Sequence, residues 1–95
     1  MKVRYTPRAQ RDLAAIFSYL VAQAPDAAQA VKTAIAHRIA LLGSFPLLAP
    51  MSEMTGVHEL TIIRYPYKVY YEIRGEEVWV LHIRDARRRP WTGSE

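Results

Sequence analysis

A chain of 95 residues with half of its side chains hydrophobic has room for one compact domain, here taken as residues 1–95, and buries a modest share of its surface, so added stability from a partner is useful to it. No cysteine is present, which excludes disulfides, thiolate catalysis and cysteine-ligated zinc. The net charge of +4 favours an anionic partner, nucleic acid or an acidic protein segment, and the lack of a signal-peptide core or a bilayer-length apolar run makes a cytoplasmic protein the expectation.

Lys2 to Tyr5 alternates, with Val3 and Tyr5 on one side, and predicts a strand over 2–5. Thr6 and Pro7 follow as a favourable N-cap and a proline at the first helical position. Over 7–23, Leu13, Ile16, Phe17 and Leu20 recur at helical spacing while Arg8, Arg11, Asp12 and Gln23 fill the remaining positions, which predicts an amphipathic helix. Ala24 and Pro25 end it, and Asp26 is expected to cap a second helix over 27–42 with a stripe of Val31, Ile35, Ile39 and Leu42. Gly43 is read as its left-handed stop. Small residues such as Ala27, Ala30 and Ala34 let the two helices approach closely as an antiparallel hairpin.

The segment 44–56 carries Pro46, Pro50 and Gly56 among Phe45, Leu47, Leu48, Met51 and Met54, and is too apolar to stand free in water. It is expected to pack down or to be covered by a partner. Strands are predicted over 57–63, 67–73 and 78–84, the last two joined by a short turn through Gly75. Alternation directs Tyr67, Val69, Tyr71 and Ile73 to a core and Lys68, Tyr70, Glu72 and Arg74 to water. In the last strand Val78, Val80 and His82 oppose Trp79, Leu81 and Ile83, and two apolar faces predict a central position. Behind it stand Arg84, Arg87, Arg88 and Arg89, then Pro90 and Trp91, read as an open cationic end. The fold class is therefore α+β, a helical hairpin packed on a small, mainly antiparallel sheet in the order β-α-α-β-β-β.

Arg64, Lys68, Arg84 and Arg87 are cations able to stabilise a phosphate, and RNA cleavage would also need proton transfer, for which Glu59 and His82 are the candidates. His82 alternates with apolar neighbours inside a strand, so a structural histidine is the plainer reading. His37, His58 and His82 lack the spacing of a three-ligand zinc site, and neither a metal nor a cofactor is expected. Arginines beside Trp91 suit phosphate and base stacking or a protein hot spot. Tyr70, which shares its face with Lys68, is the one tyrosine read as a possible stacking platform.

The run YPYKVYY from Tyr65 to Tyr71 and the ending LHIRDARRRPW from Leu81, in this order of elements, resemble the RelE/ParE superfamily of bacterial toxins. The resemblance implies a cognate ParD-like or RelB-like antitoxin that wraps the toxin into a hetero-oligomer, with Leu13, Phe17, Leu47, Leu48, Met51 and Met54 as the surface it would cover. It also implies one of two targets. A RelE-like member would cut messenger RNA on the ribosome, with Lys68, Arg87 and His82 as candidate catalytic residues. A ParE-like member would poison DNA gyrase, with Arg64, Arg84, Arg87, Arg88 and Trp91 meeting the target. RelE-like enzymes use a tyrosine in the C-terminal segment, and here the nearest aromatic is Trp91, which favours the ParE-like branch. A basic nucleic-acid-binding module outside any toxin system is the third reading.

Overall fold

The computed structural model describes residues 1–93. In chain order the elements are β1 (Lys2–Tyr5), α1 (Pro7–Gln23), α2 (Pro25–Ala40), a 3-10 turn (Leu41–Gly43), β2 (His58–Thr61), β3 (Tyr67–Arg74) and β4 (Glu77–Asp85). The sheet order is β1-β4-β3-β2, with β3 antiparallel to both neighbours and β1 parallel to β4. The predicted order of elements, the mainly antiparallel sheet and the central place of β4 all appear.

Thr6 joins helix to sheet. Its hydroxyl oxygen accepts the Ala9 N–H at 3.1 Å as the N-cap of α1, and the same hydroxyl donates to the Leu81 carbonyl at 3.1 Å. Its backbone N–H reaches the Val80 carbonyl. α2 starts earlier than its sequence pattern predicts, because Pro25 is pre-shaped for the first helical position; Asp26 lies inside the first turn, where its charge suits the helix dipole, and makes no cap. At the other end the helix tightens into the 3-10 turn. Gly43 is not left-handed as expected, since the glycines with positive φ are Gly56, Gly75 and Gly93. A side chain at 43 would instead place its Cβ 2.8 Å from the Met1 carbonyl oxygen, so close approach to β1 is what requires glycine there.

The main core lies between the helices and one face of the sheet. Val31, Ile35 and Ile39 of α2, with Leu42, meet Leu60, Val69, Tyr71, Val78, Val80 and Ile83, and α1 adds the half-buried Leu13, Ile16 and Leu20. The sequence of core positions in β4 contains a slip, for Val78 and Val80 are followed by Ile83. Tyr70 pairs with His82 and Tyr71 with Val80, which leaves Leu81 as an extra residue, a β-bulge. This corrects the expected alternation: beyond the bulge His82 and Arg84 turn to the second face and Ile83 enters the core.

That second face is covered as well. Val57, Tyr70 and Trp91 form a buried cluster against which Met54 and Leu81 pack. Adjacent tyrosines tie down the two covers, each from its own face of β3. The Tyr71 hydroxyl donates to the Pro46 carbonyl at 2.8 Å and accepts the Ala49 N–H, while the Tyr70 hydroxyl accepts the Trp91 N–H. The segment after the 3-10 turn thus wraps the β2 edge from one side of the sheet to the other. β2 itself is shorter than predicted, with Ile63 exposed and Arg64 left-handed at φ 80°. For a residue with a Cβ that conformation costs on the order of 1–3 kcal/mol.

Candidate functional site

Cations collect where β4 leaves the sheet and the β2–β3 loop returns to it. Register places Lys68 opposite Arg84, Tyr70 opposite His82 and Tyr67 opposite Asp85, and the Ala86 N–H donates to the Pro66 carbonyl. Arg64, Arg87, Arg88 and Arg89 are exposed around this end. Arg87 grips Asp85 with both Nε and Nη2, at 2.9 and 2.5 Å, and this pairing holds the Asp85 carboxyl down at about 2.

Two members of the expected open cationic end lie inside. Arg84 is buried, and Trp91 is only 7% exposed. The reason is the bulge, which turns Arg84 onto the covered face, together with the fold-back of the tail. Trp91 meets Tyr70 edge-on with ring centroids 5.3 Å apart and the tilted His82 ring at 4.9 Å, and the Arg8 guanidinium stands 5.6 Å from its centroid. Trp91 is thus an anchor for the tail, and the arginines before it are what the anchor presents.

His82 is fixed in place. Its Nδ1–H donates to Asp12 Oδ2 at 2.6 Å, and the same oxygen accepts the Ile83 N–H at 3.0 Å. β1 ends at Tyr5, so Asp12 supplies the partner that a longer strand would have given β4. Burial pushes the imidazole below its ordinary value of 6.5, with Asp12 opposing that shift. The ring is therefore neutral at pH 7, and its Nε2 is enclosed without a partner.

Lys68 donates to Glu59 Oε2 at 3.0 Å, and that bond raises the lysine's pKa. Lys68 and Glu59 line a shallow cleft with Met51, Ser52, Glu53 and Pro90, whereas His82 and Arg87 line another, against α1. The three residues proposed for catalysis are thus divided between two clefts. His58 is structural, with Nδ1 at 2.9 Å from the Ala49 carbonyl and its ring stacked on Tyr71. Among the described residues, no group of three or more His, Cys, Asp or Glu is placed to hold a metal ion.

Of the apolar positions expected to meet a partner, Leu47, Leu48 and Met51 are exposed, Leu47 at 75%, and Phe45 joins them. Phe45, Pro46, Leu47 and Leu48 line an apolar hollow of about 350 Å³. The other three are engaged already. Leu13 packs on the main core, Met54 on the Trp91 cluster, and Phe17 lies under the Lys32 ammonium at 4.7 Å. Arg8, Asp12 and Tyr19 were not singled out as site residues by the sequence reading; their shared helical stripe was visible in it, but not the β4 end they face.

The family model of the ParE toxin of the type II toxin–antitoxin system parDE matches residues 3–90. A chain of the chromosomal ParDE system from P. aeruginosa superposes with a TM-score of 0.83 at 27% identity, over 92% of this chain and 97% of that one. A chain of the intact E. coli RelBE toxin–antitoxin complex superposes at 0.64 with 14% identity, over 92% and 98%, a likeness of fold alone. No curated protein sequence gives a significant match.

Proposed function

This chain belongs to the ParE toxin family of type II toxin–antitoxin systems, and we propose that it inhibits growth by binding and poisoning DNA gyrase until a cognate ParD-like antitoxin neutralises it. The observation that carries the choice of binding over RNA cleavage is the state of His82. A general base must reach the proton it removes, and this ring spends Nδ1 on Asp12 while Nε2 is enclosed in the fold. Lys68 is held by Glu59 in a different cleft from Arg87 and His82, so the three candidate catalytic residues do not converge on one phosphate. The ParDE likeness at 27% identity supports the same branch.

The exposed apolar group of Phe45, Leu47, Leu48 and Met51 supports an antitoxin that covers this edge of the sheet. The test of the target is direct. Purified chain added to gyrase, ATP and supercoiled plasmid should accumulate cleaved DNA, while messages on translating ribosomes stay intact. Codon-positioned cleavage of ribosome-bound messages, abolished by Lys68→Ala or Arg87→Ala, would overturn this reading in favour of the endonuclease.

A further inference from the structure

A cleft of about 370 Å³ runs between α1 and the outgoing end of β4. Four guanidiniums, those of Arg8, Arg84, Arg87 and Arg88, line it against the carboxylates of Asp12 and Asp85. Both carboxylates are occupied from within, Asp12 by the His82 ring and the Ile83 N–H, Asp85 by Arg87. On the α1 side Arg8, Asp12, Ala15 and Tyr19 follow one another along a single helical stripe, and the small Ala15 leaves space between the cations and Tyr19. Tyr19 is 63% exposed, a ring facing water beside a cationic wall. Beside the β4 end, the loop tied to Ala86 through Pro66 holds exposed Arg64 in a left-handed conformation that glycine would adopt more easily.

We propose that this cleft binds a nucleic-acid strand, with a backbone phosphate seated among Arg8, Arg87 and Arg88 and a neighbouring base stacked on Tyr19. Guanidinium forks match the paired oxygens of a phosphate, and an aromatic ring beside them gives a base a platform that an acidic peptide would not use. The volume admits a nucleotide and exceeds what a bare anion needs. The inference goes beyond the gyrase reading, since it concerns contact between the toxin itself and a strand.

The test uses the full chain and a short fluorescein-labelled single-stranded DNA, followed by anisotropy across a salt series. The double variant Arg87→Ala/Arg88→Ala should weaken binding about tenfold and lower the salt slope by about one to two. Tyr19→Ala should weaken it by at least about fivefold, and Tyr19→Phe should restore it. Arg74→Ala, at the far hairpin tip, should leave affinity within about twofold, and all of these side chains are on the surface, so the fold survives each change. Equal loss in Arg74→Ala would mean that overall charge alone attracts the strand, and would overturn the site. So would an unchanged affinity in Tyr19→Ala, or poly-glutamate competing as well as the unlabelled oligonucleotide, which would assign the cleft to an acidic protein segment. Gyrase is absent from this assay, so its failure leaves the plasmid cleavage experiment to decide the target separately.

Discussion

Trp91 and Arg87 are neighbours in the tail with opposite physical roles. Trp91 closes a buried cluster, so Trp91→Ala removes packing against Tyr70 and His82 and should cost about 3 kcal/mol or more. Arg87→Ala removes an exposed pair with Asp85 and should leave the denaturation midpoint nearly unchanged. Urea denaturation of the two variants checks both, and an unchanged midpoint for Trp91→Ala would show that the tail is not seated. Their sequence context is the same basic, proline-bounded run, and for that reason burial of Trp91 was not legible: it depends on a tyrosine hydroxyl in another strand. His82 carries a pH signature. Because its folded-state pKa lies below the unfolded value, the unfolded chain takes up the proton first as pH falls. Its contribution is complete above about pH 6.5 and erodes on acidification below that. Denaturation midpoints from about pH 7 to 5 should fall in the parent chain and fall less steeply in His82→Gln.

At the scale of elements, what could be read from the sequence is what local chemistry decides. Thr6 and Pro7 start α1, Pro25 separates the helices, and the Tyr67 to Arg84 pattern gives the hairpin, because caps, prolines and alternating residues act over a few positions. The bulge was not legible. Val, Trp, Leu and Ile fit either face of β4, so nothing in their alternation marks where the phase changes. Its consequence can be tested by length. Deleting Leu81 removes the extra residue, and plain alternation then keeps Val80 and Ile83 on the core face and His82 and Arg84 off it, so cooperative melting should survive. Leu81→Ala keeps the bulge and only trims a half-buried side chain, so that variant should still melt cooperatively. Loss of cooperative melting in the deletion would mean that Leu81 is more than an extra residue in the ladder.

Across the whole molecule, the two outward-facing chemistries are separated. The apolar group of Phe45, Leu47, Leu48 and Met51 belongs to the segment that wraps the β2 edge, whereas the arginine-lined cleft sits over α1 and β4, and β3 lies between those strands. A partner held by the first surface therefore need not use the second. Leu47→Asp/Leu48→Asp should weaken antitoxin binding by about thirtyfold or more, as expected if these leucines are hot spots, while leaving the melting temperature nearly unchanged. Isothermal titration with the neighbouring gene product measures the first and calorimetry the second; full affinity would place the antitoxin on another face.

The parallel pairing of β1 with β4 governs when this fold can come into being. Thr6, just past β1, bonds to Leu81 across a separation of 75 residues, so the first strand has no partner strand until β4 has been made. Closing so large a loop must precede the reward of the contacts it allows. During synthesis the helices can form early, but the arginines at and after the end of β4, the Asp12 to His82 link and the seat of Trp91 all wait for residues translated late. A chain cut short before β4 therefore has a helical hairpin and no arginine-lined cleft: that surface is armed only once β4 and the residues just after it have been made.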